Sequence, residues 1–157
     1  MQTLRWRRRE ARDKVQLLKA PQFMQELEVV LGTFPGARIL WLRRDLGEVA
    51  ASSSSLVWHQ RRVQSDEVDR FAVGREWLRK TRLRERRALD SISARRAPTI
   101  AVEYCAMNDD WLAEMRRIYQ FLGFDLSRSV AERMSREAAS LAHKGHQYSG
   151  RQFGLER

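Results

Sequence analysis

Arg38-Ile39-Leu40-Trp41-Leu42-Arg43-Arg44-Asp45-Leu46-Gly47-Glu48-Val49-Ala50-Ala51-Ser52 joins an apolar run to a charged corner and then to a helical pattern. A short apolar run bounded in this way predicts a strand over Ile39–Leu42. Asp45 predicts the cap of a helix that begins at Leu46. That helix is expected to reach about Val63, with Val49, Ser53, Leu56 and Gln60 along one side. Four consecutive serines, Ser52 to Ser55, lower its propensity without breaking the pattern. A strand that hands over directly to a helix is half of a parallel α/β unit, and such sheets bind ligands at the carboxyl ends of their strands. Arg44 stands at that end, and Ser52 follows about two helical turns later. An arginine can fork onto a phosphate while a serine hydroxyl donates to another oxygen of the same group. On these residues alone, the plainer reading of a surface arginine and a helix serine is the favoured one.

Upstream, Val15-Gln16-Leu17-Leu18 is a short apolar run stopped by Lys19-Ala20-Pro21, which predicts a buried strand with Pro21 starting a helix. Phe23, Leu27, Val30 and Leu31 keep helical spacing up to Gly32, and Pro35-Gly36 predicts a turn. Downstream, a long charged helix is expected from Asp66 to Arg95, with Phe71, Leu78, Leu89 and Ile92 close to one line. Pro98 ends it, and Thr99-Ile100-Ala101-Val102 predicts a third strand. Trp111, Met115, Ile118 and Leu122 form a helical stripe closed by Gly123; Val130, Met134, Ala138 and Leu141 form another. The tail after Gly145 has no period. Strands alternating with helices predict an α/β fold with a short parallel sheet flanked by helices. Three strands make a thin parallel sheet, since each should be covered by neighbours.

Composition narrows the classes. Apolar residues at 43% and charged residues at 32% describe an ordinary folded soluble chain. No apolar run approaches the length of about 20 residues that a membrane span needs. The arginine-rich start has no apolar stretch of signal-peptide length behind it, so a cytoplasmic location is expected. The single cysteine, Cys105, excludes an internal disulfide framework and a zinc site of several cysteines, and an inert, partly buried thiol is expected there. A net charge of +10 attracts polyanions without choosing among nucleic acid, anionic lipid and phosphate-rich small molecules. Arginine placed on solvated faces accounts for part of that excess.

Several segments resemble the PAPS-dependent sulfotransferase family, whose donor is 3′-phosphoadenosine 5′-phosphosulfate. Arg44 to Ser52 resembles its 3′-phosphate-binding segment, an Arg-Asp-Pro followed by a helix start and a serine eight residues after the arginine. Phe34-Pro35-Gly36-Ala37-Arg38 is similar to the lead-in of that strand. Leu17-Leu18-Lys19-Ala20-Pro21 resembles the family's Trp-x-Leu-Lys-Ser-Pro strand end, and Val102-Glu103-Tyr104 a later strand of the same family. Ile118 to Phe124 resembles a family helix end, and His146-Gln147-Tyr148-Ser149 with Phe153-Gly154-Leu155 is similar to the tail of its bacterial branch. The matches run in family order from about Leu4 to Leu155.

The resemblance implies a partial P-loop-like, three-layer fold and sulfuryl transfer from the donor to a hydroxyl or amine. The acceptor would be a small molecule, glycan or lipid, with no metal required. It assigns Arg44 and Ser52 to the 3′-phosphate, Tyr104 to the vicinity of the adenine, and Lys144 to a segment returning to the phosphate. Lys19 falls at the catalytic strand end, where a cation would balance charge on the transferring group.

The departures are informative. Leu46 replaces the family proline, and Phe23 stands where a histidine is usual, so no general base is assigned. His59, His143 and His146 are the only imidazoles, and His59 is expected on a helix surface. No strand, glycine-containing loop and helix of the kind that cradles the 5′-phosphosulfate precedes Val15. Residues 1–13 resemble the helix just before the Trp-x-Leu-Lys-Ser-Pro strand. The whole of 1–157 is therefore expected to be the carboxy-terminal portion of one sulfotransferase domain. Two alternatives remain: a small basic nucleic-acid-binding protein, supported by the arginine-rich stretch from Arg75 to Arg96, and a non-catalytic remnant.

Overall fold

A computed structural model describes residues 15–140 and 149–155. The chain divides into two compact units, one formed by the segment up to Arg38 with Arg82–Pro98, the other by Ile39–Thr81 with the segment from Thr99 onward.

The second unit holds the sheet. Strands β1 (Ile39–Arg43) and β2 (Thr99–Glu103) pair in parallel, with Ile39 opposite Thr99 and Arg43 opposite Glu103. The α/β expectation stands, but with two strands among the described residues instead of three. Helix α2 (Leu46–Arg62) leaves β1 through Asp45, whose carboxylate accepts the Glu48 amide at 3.0 Å, as the sequence predicts for a cap.

The buried side of α2 is not the expected one. Ala50, Ala51 and Ser54 are buried, while Leu56 and Gln60 face outward. Small side chains let a neighbour approach closely, and the Ser54 hydroxyl satisfies itself on the Ala50 carbonyl at 2.7 Å. The neighbour is a 3₁₀ turn, Gly150–Phe153, which packs against α2 and leaves Phe153 only 3% exposed. An ordered turn therefore ends a tail in which the sequence shows no period.

Helix α3 (Arg70–Arg95) starts four residues later than expected, with Asp69 accepting the Phe71 amide at 2.8 Å. The turn between α2 and α3 closes over Trp58. Its indole N–H donates to the Val68 carbonyl at 3.1 Å, and the guanidiniums of Arg62 and Arg70 lie 4.9 and 4.8 Å from its ring.

Within this unit the buried positions of α3 are Val73, Gly74 and Thr81, not the expected Phe71, which is half exposed and lies against Gly154. The cause is close approach. A methyl group on Gly74 would sit 2.1 Å from the Phe153 carbonyl oxygen, so only glycine fits there.

After β2 comes α4 (Tyr104–Asp109), a short helix the sequence pattern does not show. Helix α5 (Trp111–Leu122) is capped by Asp110 and closed by Gly123 at φ 77, with Ile118 buried, as its stripe predicts. Arg117 of α5 donates to the Ala101 carbonyl of β2 at 2.6 Å and pairs with Glu114, tying the helix to the strand. Helix α6 (Arg128–Ser140) half-buries Val130 and Met134 and exposes Ala138; Leu141 lies outside the described residues.

In the first unit, a 3₁₀ turn at Pro21–Met24 precedes α1 (Leu27–Thr33), so the helix expected from Pro21 is split. Leu27, Val30, Leu31 and Ala88 are its buried apolar residues, and Arg95 ion-pairs with Glu28. Pro35-Gly36 makes the predicted turn, closed by the Ala37 amide on the Phe34 carbonyl at 2.9 Å. The strand predicted at Val15–Leu18 is not one: residues 15–20 have no regular structure, and Val15 and Leu17 are 71% and 81% exposed. A strand exists only by pairing, and no described segment pairs with this run. No helix among the described residues is long and apolar enough to cross a membrane.

Candidate functional site

Parallel pairing brings the candidate residues of the second unit together. Because Arg43 faces Glu103 across the sheet, the residues that follow, Arg44 and Tyr104, leave the two strands side by side at their carboxyl ends. Arg43 and Glu103 close that end with an ion pair at 3.0 Å. The Arg44 guanidinium then lies 4.5 Å from the centre of the Tyr104 ring. Tyr104 is half exposed and begins α4, so its ring is held at the top of the sheet instead of within it.

Arg44 is also held from the α2 side. Its Nε donates to a Glu48 carboxylate oxygen at 2.8 Å, one helical turn along. An aromatic face and a carboxylate thus fix the plane of the guanidinium. Sequence inspection missed Glu48, although the four-residue spacing from Arg44 carries the signal.

Ser52 lies a further turn along α2, on the side of Glu48 and away from buried Ala50 and Ser54. It is half-buried, and its hydroxyl makes no hydrogen bond to another described residue. The spacing of Arg44, Glu48 and Ser52 sets a cation, an anion and a hydroxyl in a row beginning at the strand end. A guanidinium and a hydroxyl are both donors to an anionic oxygen; the Glu48 carboxylate opposes one.

The remaining candidates fall elsewhere. Lys19 belongs to the first unit, exposed in the irregular segment 15–20. Lys144, with His143 and His146, lies outside the described residues, as do residues 1–13. Phe23 sits in the 3₁₀ turn of the first unit, and His59 is exposed on α2 with its ring edge-on to Trp58. Cys105 is exposed, not partly buried, because α4 begins one residue before it and turns it outward. Among the described residues no group of three or more His, Cys, Asp or Glu is placed to hold a metal ion.

One strongly coupled acid lies in the same unit, beyond these residues. Glu76 of α3 is bonded by Lys80 and by Arg61 at 2.8 Å, and the two hydrogen bonds, Lys80 first, hold its carboxyl below the ordinary value. This cluster joins the end of α2 to α3.

A family model described as "Sulfotransferase family" matches residues 1–128. No curated protein and no solved structure matches the chain.

Proposed function

The chain belongs to the sulfotransferase family, and on that premise we propose that it binds 3′-phosphoadenosine 5′-phosphosulfate through the carboxyl ends of β1 and β2. The observation that carries this reading is the Arg44 guanidinium stacked on Tyr104 and directed by Glu48. Arg44 and the Ser52 hydroxyl supply donors for the 3′-phosphate, and the Tyr104 ring offers a flat face to the adenine.

The residues suit the donor in kind: a fixed guanidinium, a hydroxyl on the next helix and an exposed aromatic ring. The Glu48 and Glu103 carboxylates at this end oppose an anion, and the role of Glu48 is to hold the arginine before the ligand arrives. Lys144 is a second candidate for the phosphate. When bound, the donor supplies an activated sulfuryl group for a hydroxyl or amine on a small molecule, glycan or lipid. Lys19 is the candidate cation for charge on that group. Beyond Lys19, no residue is assigned to the 5′-phosphosulfate, and on this half-site reading we expect nucleotide binding by this chain without transfer.

A thermal-unfolding comparison tests the reading. Adenosine 3′,5′-bisphosphate should raise the midpoint in proportion to its saturation of the folded state, and adenosine 5′-monophosphate, which lacks the 3′-phosphate, should not. Equal shifts from the two would remove the 3′-phosphate from the account.

A further inference from the structure

Tyr104 is placed by its backbone. Its hydroxyl makes no hydrogen bond to another described residue, and its ring has one directed contact, the Arg44 guanidinium at 4.5 Å. The ring is otherwise half exposed. Where it stands is therefore decided by the end of β2, which Tyr104 directly follows.

That strand end is held from two sides. Toward β1, Arg43 faces Glu103 in the parallel register and pairs with its carboxylate at 3.0 Å. From α5, Arg117 donates to the Ala101 carbonyl at 2.6 Å. Two paired strands are marginal by themselves, so a charged hydrogen bond from a helix to one of them is a substantial constraint. Arg117 is itself aimed. Glu114, one turn back on α5 and largely buried, accepts from the guanidinium at 2.6 Å. That hydrogen bond first, and then the charges of Glu114 and Glu103, raise the Arg117 guanidinium above its ordinary value. Helix α4, which Tyr104 begins, packs on α5 as well. Side-chain packing has little direction, whereas a bond to one carbonyl fixes where the strand lies.

From this clamp we infer that Arg117 is a positioning residue for the nucleotide: through β2 it sets the Tyr104 ring against Arg44, without touching the ligand. The inference rests on the reading of Tyr104 as the platform for the adenine, and it names the residue outside the site on which that platform depends. The Arg44 guanidinium has its own support from α2, through Glu48. Loss of Arg117 should then weaken the hold on the base and spare the hold on the phosphate.

The test compares the full chain with Arg117→Gln, Arg117→Lys, Glu114→Gln, Tyr104→Ala and the double variant Arg117→Gln with Tyr104→Ala. Circular dichroism establishes which of them fold. Without ligand, NMR follows the Arg44 Nε–Hε signal, which the neighbouring aromatic ring shifts. It should move in Arg117→Gln toward its position in Tyr104→Ala, and move less in Arg117→Lys, which keeps a cationic donor. With adenosine 3′,5′-bisphosphate, Arg117→Gln should lose about fivefold in affinity, the lower end of what stacking a base on an aromatic ring contributes. Ribose 3,5-bisphosphate, which lacks the base, should bind the two proteins equally. In the Tyr104→Ala background the same substitution should cost nothing further. An unmoved Arg44 signal, equal losses for the two ligands, or an undiminished loss without Tyr104 would each overturn the inference. If Arg117→Gln does not fold, Glu114→Gln, which frees the guanidinium from its holder, carries the same comparisons. If the original chain binds neither ligand while the Arg44 signal still follows Arg117, the placement of Tyr104 stands and the nucleotide reading fails.

Discussion

Arg44 is shared between an aromatic ring and a carboxylate, and the two partners pull its chemistry in different directions. Tyr104 leaves the positive charge intact and fixes its plane, whereas Glu48 neutralises part of it. Glu48→Gln should therefore tighten adenosine 3′,5′-bisphosphate binding by about 0.5–1 kcal/mol, the scale of a partly exposed ion pair. Calorimetry decides it, and weaker binding by the variant would show that orientation by Glu48 matters more than its charge. Gly74 makes a different demand at the same scale. Its missing side chain is where the Phe153 backbone sits, so Gly74→Ala must displace the carboxy-terminal turn. A loss of about 1–3 kcal/mol is expected in denaturant unfolding, the usual cost of overpacking. An unchanged midpoint would mean that the turn does not dock in solution.

Among the elements, α2 and α3 are joined by the Arg61–Glu76–Lys80 cluster as well as by the closed turn over Trp58. The Glu76 carboxyl titrates below its ordinary value of 4.5, so its contribution to stability is complete above that pH and is lost as the pH falls through the depressed folded value. Glu76→Gln should lower stability by about 0.5–1 kcal/mol at neutral pH and leave it unchanged in strong acid. A gap between the two proteins that persists unaltered to low pH would contradict the assignment. Elements with strong local signals were legible in the sequence: β1 and α2 from an apolar run and a capping aspartate, α5 from its stripe and closing glycine. What escaped was set by tertiary contact. The buried sides of α2 and α3 carry Ala50, Ser54, Gly74 and Thr81 because another backbone comes close, and hydrophobic periodicity searches for large residues instead. The Val15–Leu18 run has strand composition but no described partner, and pairing is information that a local pattern does not hold. Arg44 and Tyr104 were both legible as candidates by resemblance. Their juxtaposition was not, because it follows from the register of β1 on β2.

For the molecule as a whole, family membership and the proposed reading of Arg44 and Ser52 as a half-site for the 3′-phosphate predict a division between binding and turnover. One preorganised donor to a developing oxyanion is worth about 2.7–4 kcal/mol, and a phosphate loop supplies several. Incubation of the chain with the donor and a panel of alcohols, phenols, amines and polysaccharides should yield no sulfated product by mass spectrometry. Product formation abolished by Arg44→Ala would show instead that these residues suffice for transfer. The central claim is narrower: Arg44, at the carboxyl end of β1, holds the 3′-phosphate of the nucleotide. Isothermal titration of adenosine 3′,5′-bisphosphate into the chain and into Arg44→Ala tests it most directly. The account predicts saturable one-to-one binding by the first and binding weaker by about 1.5–3 kcal/mol in the second, the cost of a lost charged hydrogen bond. Equal affinities in the two folded proteins would contradict it.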